Sequence, residues 1–549
     1  MTAKSGADPL HSWDDLSGGD QGAFYFNFSQ SQGPDPAGPG PVLVPDETIE
    51  ANSANNGPGG PGSVIAMTGG GITINLEFDA AAMAAPASFR AGIQQAAAIL
   101  AATIADPITV NIAIDYSGVG GGAAGGPEGG LYVNYSTVRA DLVSHATAGD
   151  KTFNVLPSGT TFDGQPYVAV WDAQLKLWGL AMPSDYTGID GSATFATDIN
   201  PNLLVGVALH ELTHAIGRVP YGVSSNPTYS SPYPDIFDFF RYTSPGQPLL
   251  DGDSSAPAAY FSLDGGNTRL AAYGQTSDAS DFLNGGVQGS NDPFNEFYSN
   301  NTLQSLTGVD LKQLDALGYQ INSSLNTTIE AAGATSLVKL ANNYFLTTIT
   351  TGLGPELKLS GTPVAAGQFG SIAPIGVEAI TGGYEVAWKD TSNGQYTVWA
   401  TDSNGNFTNI LYGPGSGNSP ALEQLETSFQ QDLNGDGTIG VSMTVIEAFG
   451  STKLAQLGSN YFLNPAAGGT GPELKLSGTP VTVGQFGSIA PIGVEAITGG
   501  YEVAWKDTST GQYTVWATDS NGNFTNILFG PGSGNSPALE QLEPSFQQD

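Results

Sequence analysis

The chain reads as an α+β domain followed by two β-rich repeat modules, behind a lead-in rich in glycine and proline. Three observations predict this. GPELKLSG begins at Gly354 and again at Gly471, and Glu330, Trp388 and Trp399 recur as Glu447, Trp505 and Trp516 at the same offset of 117 residues. Upstream of the repeat, short alternating apolar runs are interleaved with segments of helical period. Before residue 65, stretches such as QGPDPAGPGPVLVPDE and NNGPGGPGS carry no apolar period. The expected boundaries are a disordered lead-in over 1–65, an α+β domain over 66–327, repeats over 328–432 and 445–549, and a linker over 433–444.

The elements follow in order. ITINLEF, from Ile72, alternates as a strand. Phe89, Ile93, Ala97, Leu100 and Ile104 recur at helical spacing, and Asp106-Pro107 ends that helix. Ile108, Val110, Ile112 and Ile114 then alternate with more polar neighbours as a half-buried strand. GVGGGAAGGPEGG lacks the lysine of a phosphate-binding loop and reads as a flexible connector. In VALHELTHAIGR, Val205, Leu209, Leu212 and Ile216 make an apolar helical face, with Asn200-Pro201 as its start and Gly217 as its stop. Within each repeat, YEVAWK, QYTVWATD and FTNIL read as strands joined at Asn393-Gly394 and Asn404-Gly405. Ser419-Pro420 then opens a helix with Leu422, Leu425 and Phe429 on one face. Each repeat is thus an antiparallel meander closed by one helix, and Trp388, Trp399, Trp505 and Trp516 alternate along its strands as core residues.

Composition excludes several functions. At 549 residues the chain is too long for one core. With 15 basic and 51 acidic residues the net charge is -36, which repels nucleic acid and anionic membranes. The absence of cysteine excludes disulfides, thiolate metal sites and cysteine nucleophiles. The longest apolar stretch, GIQQAAAILAATIA, is too short to span a membrane. MTAKSGADPLHSWDDLSGGD lacks the apolar core of a standard signal peptide.

Chemistry concentrates at one place. The four histidines are His11, His145, His210 and His214, and the last two stand four residues apart. That spacing puts both imidazoles on one side of a helix, where they can converge on one Zn²⁺. Glu211, beside the first, can reach metal-bound water and act as general base.

HELTHAIG resembles the zincin helix HExxH and the opening of the metzincin motif HExxHxxG. The chain departs from metzincins at Pro220, where they carry a third ligand, and it has no methionine between Met182 and Met443. A wider pattern, DGSATF, VGVALHELTHAIGR, DFFRYTSPG, YFSLDGGNTRLAAYG and GVDLKQLDALGYQ, is similar to bacterial secreted zincin-like peptidases over roughly 72–322. The resemblance implies a secreted zinc-dependent endopeptidase acting on protein or peptide; because the N-terminus lacks an apolar core, its export is expected by a route that reads no standard signal peptide. It implies Asp238 as third zinc ligand, because the Asp238–Tyr242 segment matches a DLFRYS-like segment of that group; Asp235 and Tyr221 are the alternatives. The plainer role for Asp238 is pairing with Arg241. Tyr242 or Tyr221 would donate to the oxyanion, and GSATFAT, 191–197, would be the edge strand that receives substrate. A non-catalytic extracellular binding or adhesive protein with a structural zinc site is the rival reading.

A second constellation is DLNGDGTIG, where Asp432, Asn434, Asp436 and Thr438 take positions 1, 3, 5 and 7 of a Ca²⁺ loop. Position 12 is Met443, so a bidentate ligand is missing. The repeats resemble a tryptophan-rich C-terminal domain of bacterial extracellular proteins, which implies binding to an extracellular surface or glycan.

Overall fold

The computed structural model describes residues 48–50, 63–183, 186–220, 233–251, 257–274, 278–283, 291–298, 302–441 and 443–547. Most of the lead-in lies outside them. The chain forms two units, Met1–Val386 with Trp399–Asn409, and Ala387–Val398 with Ile410–Asp549. Among the described residues no helix is long and apolar enough to cross a membrane. The architecture is mixed α+β with two repeated β-rich C-terminal modules.

The first unit is organised on a five-stranded sheet. Its strands are β1 (Ser63–Thr68), β2 (Thr73–Phe78), β3 (Thr109–Tyr116), β4 (Ala123–Pro127) and β5 (Gly191–Phe195), in the order β1-β2-β3-β5-β4. β2, β3 and β5 run parallel, while β1 and β4 pair antiparallel at the two ends. Ile74, Leu76 and Phe78 of β2 and Val110, Ile112 and Ile114 of β3 are buried, as period-two alternation requires. The crossover between β2 and β3 includes helix α1 (Ala87–Thr103), whose Phe89, Ile93, Ala97 and Leu100 are buried in the same core. The sheet therefore includes Ser63–Thr68, one strand before ITINLEF. Thr48–Glu50, inside the expected lead-in, pairs with Gly129–Leu131.

Two elements differ from the sequence reading. GSATF is an interior strand, with β3 on one side and β4 on the other. The sheet ends instead on β4, which comes from the glycine-rich stretch read as a connector. Its glycines have a packing role. A Cβ on Gly125 would stand 2.5 Å from the Glu211 carbonyl oxygen, and one on Gly191 of β5 would stand 2.2 Å from the Ala215 carbonyl oxygen. Only glycine lets these strands approach the helix that closely.

That helix, α2 (Leu204–His214), is buried along its whole length. On its other flank, Leu204 packs against Gly92 of α1. Asn200-Pro201 opens a preceding turn and not the helix itself. The Asn200 side chain accepts from the Asn202 backbone N–H at 3.0 Å, and Leu203 N donates to Asn200 O at 2.9 Å. At the far end Gly217 adopts φ 111°, so the stop falls where expected.

Helix α3 (Gly308–Ala316) begins at a Thr307/Asp310 capping box. Its first glycine makes room for an aromatic ring of the first repeat: a Cβ there would lie 2.6 Å from the Phe345 ring. Phe345 and Leu340 belong to the main core of the first unit, and the Lys312 ammonium lies 4.7 Å from the Phe345 ring centroid. The repeat's opening sheet, Asn326–Glu330, Thr335–Leu340 and Asn343–Thr348, therefore shares that core.

The second repeat shows the module completely. Strands Ile489–Ile497, Gly500–Asp507, Gln512–Asp519 and Phe524–Ser533 pair antiparallel in sequence order. A three-stranded sheet, Met443–Glu447, Thr452–Leu457 and Asn460–Pro465, precedes them. The first repeat carries strands of the same length 117 residues earlier: Ile372–Ile380, Gly383–Asp390, Gln395–Asp402 and Phe407–Ser416. The sequence reading found three strands of the meander and missed both IAPIGVEAI and the opening sheet. Proline and glycine inside IAPIGVEAI hide its period, and the register shifts between Pro491 and Gly493. Trp505 is buried, with Trp516 at 4.5 Å and Phe486 at 5.6 Å between ring centroids.

The closing helices differ. The first repeat has one continuous helix, Pro420–Phe429, while the second has two short ones, Pro537–Glu540 and Glu543–Phe546. Thr427 is replaced by Pro544, which has no N–H to return to Glu540. From Gly354 and Gly471 onward, the other differences are Ala365/Thr482, Ala366/Val483, Asn393/Thr510 and Tyr412/Phe529.

Phe345→Ala should leave a cavity in the first unit and lower its stability by roughly 3–5 kcal/mol. Thermal or urea unfolding would read this. A loss under about 1 kcal/mol would mean that the ring adds little to that core.

Candidate metal centre

α2 carries His210, Glu211 and His214, all buried. The imidazoles stand one turn apart, 4.5 Å between ring centroids. Each ring points one nitrogen at the main chain. His210 Nδ1 lies 2.8 Å from Pro293 O, and His214 Nδ1 lies 2.6 Å from Arg218 O. A carbonyl only accepts, so both Nδ1 atoms carry a proton, and a neutral ring then keeps its lone pair on Nε2. That is the tautomer a metal needs, fixed by backbone partners.

The Nε2 atoms converge on a carboxylate. Asp281 Oδ1 is 3.0 Å from His210 Nε2 and 3.4 Å from His214 Nε2. Donors held about 2.0–2.1 Å from one tetrahedral ion stand roughly 3.3 Å apart. His210, His214 and Asp281 thus form a buried cluster that could hold a metal ion.

The chain positions Asp281 through its neighbours. Phe282 N donates to Phe294 O at 2.7 Å, Glu296 N donates to Phe282 O at 2.9 Å, and Gly274 N donates to Asp281 O at 2.7 Å. Asp281 and Pro293 are therefore carried on two segments bonded side by side, one facing Nε2 of His210 and the other its Nδ1. The Tyr298 hydroxyl also donates to Pro293 O and lies 3.0 Å from His210 Nδ1. Burial, then the negative charges of Asp281 and Glu211, push the Tyr298 hydroxyl well above the usual range. Burial alone would raise the Asp281 carboxyl, but His210 and His214 hold it far below the usual carboxylate range.

Gly217 decides the other wall. Arg218 N bonds back to Thr213 O at 3.0 Å, which reverses the chain and brings the Arg218 carbonyl under His214. A Cβ on Gly217 would meet Trp171 Cδ1 at 2.9 Å. The Arg218 side chain is fully buried, and its guanidinium turns into the cluster: Nη2 donates to His214 Nε2 at 2.8 Å, and Nη1 lies 3.4 Å from Asp281 Oδ1.

The carboxylate beside the imidazoles is thus Asp281 and not Asp238. Asp238 is buried elsewhere, 2.8 Å from Arg241 Nη1, and it exchanges backbone caps with Asp235 at 3.1 Å in each direction. Burial raises its carboxyl and Arg241 opposes that rise. Asp235 also accepts from Trp171 Nε1 at 3.3 Å. Tyr242 donates to Phe239 O at 3.2 Å, and Tyr221 lies outside the described residues. His145 pairs with buried Asp106 at 2.6 Å, and His11 lies outside the described residues. Sequence reasoning missed Asp281, Arg218 and Tyr298. SDASDFLNGG has no spacing rule that separates Asp281 from the other acids, while Arg218 was visible next to the helix-ending glycine.

At the second constellation, Asp432 Oδ1 accepts from Gly435 N at 2.7 Å and Oδ2 from Gly437 N at 2.7 Å. Asn434 Oδ1 accepts from Asp436 N, and Asp436 Oδ1 from Thr438 N, both at 2.8 Å. Met443, at position 12, is the first residue of the next strand and pairs with Leu457. Glu426 secures the loop from the preceding helix, accepting from Leu433 N and Gly440 N at 3.0 Å each.

Residues 335–440 and 452–549 match the family model described as the tryptophan-rich Synechocystis species C-terminal domain. These are the tryptophan-rich repeats. The matched segments cover most of both copies, and the residues of the metal centre lie outside them. No curated protein and no solved structure matches the chain.

Asp281→Ala should abolish metal binding, whereas Asp238→Ala should keep it and lose roughly 3–5 kcal/mol of stability, because Arg241 is left buried and unpaired. Metal analysis and thermal unfolding of both variants separate the roles. Metal retained by Asp281→Ala would remove that residue from the site.

Burial, then the charge of Arg218, pushes His214 down to about 4. Unfolding returns it to about 6.5. The neutral folded form therefore contributes fully above about pH 6.5 and loses ground as pH falls towards 4. In chelator, the melting-temperature gap between the wild type and His214→Asn should narrow over that window. A constant gap would show that His214 does not titrate on unfolding.

Proposed function

We propose that the first unit is a zinc-dependent endopeptidase, a divergent zincin that hydrolyses peptide bonds outside the cell. The observation that carries this reading is the convergence of two backbone-oriented Nε2 atoms on Asp281, with Glu211 on the same helix. Two imidazoles and a carboxylate suit zinc, and three protein ligands leave one position open. When bound, zinc supplies Lewis acidity, which makes water acidic near neutral pH and polarises a carbonyl. Glu211 takes the proton from the attacking water and returns it to the leaving amine. β4, at the end of the sheet and against the Glu211 turn of α2, offers an extended edge on which a substrate strand can pair.

One observation favours a second reading, a non-catalytic extracellular binding protein with a structural metal. The Arg218 guanidinium already bonds His214 Nε2, so the cluster is satisfied from within. Glu211→Gln decides between them. It should keep zinc and lower hydrolysis of a casein-type substrate by about 10²–10⁴. A wild-type protein that carries zinc but shows no chelator-sensitive hydrolysis would support the structural reading.

For DLNGDGTIG we propose weak Ca²⁺ binding by Asp432, Asn434, Asp436 and the Thr438 carbonyl. Without a ligand at position 12, the dissociation constant should fall around 10⁻⁴–10⁻³ M. Calorimetric titration of the full chain should show this binding, and Asp432→Ala should remove it. No heat at millimolar Ca²⁺ would leave the loop as a turn tied by Glu426.

A further inference from the structure

Arg218 holds both nitrogens of one metal-ligand histidine. Its carbonyl accepts the His214 Nδ1 proton at 2.6 Å, and its guanidinium Nη2 donates to His214 Nε2 at 2.8 Å. The rest of the guanidinium is secured as well. Nε donates to Thr213 Oγ1 at 3.0 Å, Nη1 donates to Ser280 O at 3.1 Å and faces Asp281 Oδ1 at 3.4 Å, and the group lies 4.2 Å from the Phe294 ring centroid. Nothing around it is solvent, since the side chain is fully buried.

The His214 Nε2 lone pair is the one a metal would take. One lone pair cannot serve an N–H donor and a cation at once. Arginine stays charged at any accessible pH, so the conflict cannot be relieved by deprotonation. The guanidinium also lies 3.4 Å from Asp281 Oδ1 and offsets the charge of that buried carboxylate.

We propose that Arg218 is a resident counter-cation: it holds the His210–His214–Asp281 cluster together without metal, and it must withdraw from His214 Nε2 before a metal can bind. This rests on the metal reading given above. A ligand that competes with an internal partner binds more weakly by the factor that favours the occupied form. The guanidinium is a rigid plane, so Nη2 leaves His214 only when the whole group turns and its bonds to Thr213 and Ser280 loosen with it.

The test is zinc ion alone, titrated from a chelator buffer into the full chain. Arg218→Met removes charge and donors at similar length. It should bind zinc about tenfold or more tightly than the wild type, and its metal-free form should melt lower. Arg218→Gln keeps a neutral donor and serves if the methionine variant does not fold; it should also bind more tightly than the wild type. Equal or weaker zinc binding by the folded variants would overturn the proposal, showing that Arg218 supports the bound metal. If neither the wild type nor the Arg218 variants bind zinc, or if His210→Ala binds as well as the wild type, the metal reading itself fails, and the competition with it.

Discussion

Two hydrogen bonds, from His210 Nδ1 to Pro293 O and from His214 Nδ1 to Arg218 O, govern the rest of the site. An imidazole has two tautomers of nearly equal energy, and only one leaves Nε2 able to accept. Choosing it inside a protein requires a fixed acceptor on the other nitrogen. For His214 that acceptor exists because Gly217 reverses the chain directly after the helix. For His210 it exists because the segment carrying Pro293 is bonded to the segment carrying Asp281. One set of backbone bonds thereby orients a ring and delivers its carboxylate partner.

Burial is the second half of the same constraint. A helix enclosed on all sides cannot leave charged or half-bonded groups without partners. The strands β4 and β5 come close through Gly125 and Gly191, α1 closes through Gly92, and Arg218 and Asp281 neutralise one another between them. Small residues and internal charge pairing are what make room for polar chemistry in an apolar interior.

The helix was legible because its information is local. The spacing of His210, Glu211 and His214, the apolar face and Gly217 all lie within a few turns. Its first residue was misplaced because Asn200-Pro201 serves a turn that only precedes the helix. Asp281 was not legible, since it arrives from 67 residues beyond His214 through pairing with a segment of no distinctive composition. The segment likeness that pointed to Asp238 identified a buried carboxylate, one that Arg241 already claims. The edge strand was hidden for a physical reason: a strand that must lie against a helix backbone is written in glycine, and glycine reads as loop. The repeats were legible as a period, but IAPIGVEAI was not legible as a strand.

Of the five positions at which the repeats differ after Gly354 and Gly471, only Tyr412/Phe529 falls within a strand of the four-stranded sheet, so those strands are nearly identical between the copies. A strand of this stretch could pair with its counterpart's neighbour in the other copy. Exchange of this kind is a characteristic failure of tandem domains. What separates the copies is proximity along the chain. A native hairpin closes across a turn of a few residues, while an exchanged pair must close across the 117-residue offset. That lengthening is roughly five doublings of the loop, or about 3 kcal/mol of chain entropy. The short Asn-Gly and Thr-Gly turns at Asn393 and Thr510 thus favour the native hairpin through the small entropy cost of closing it.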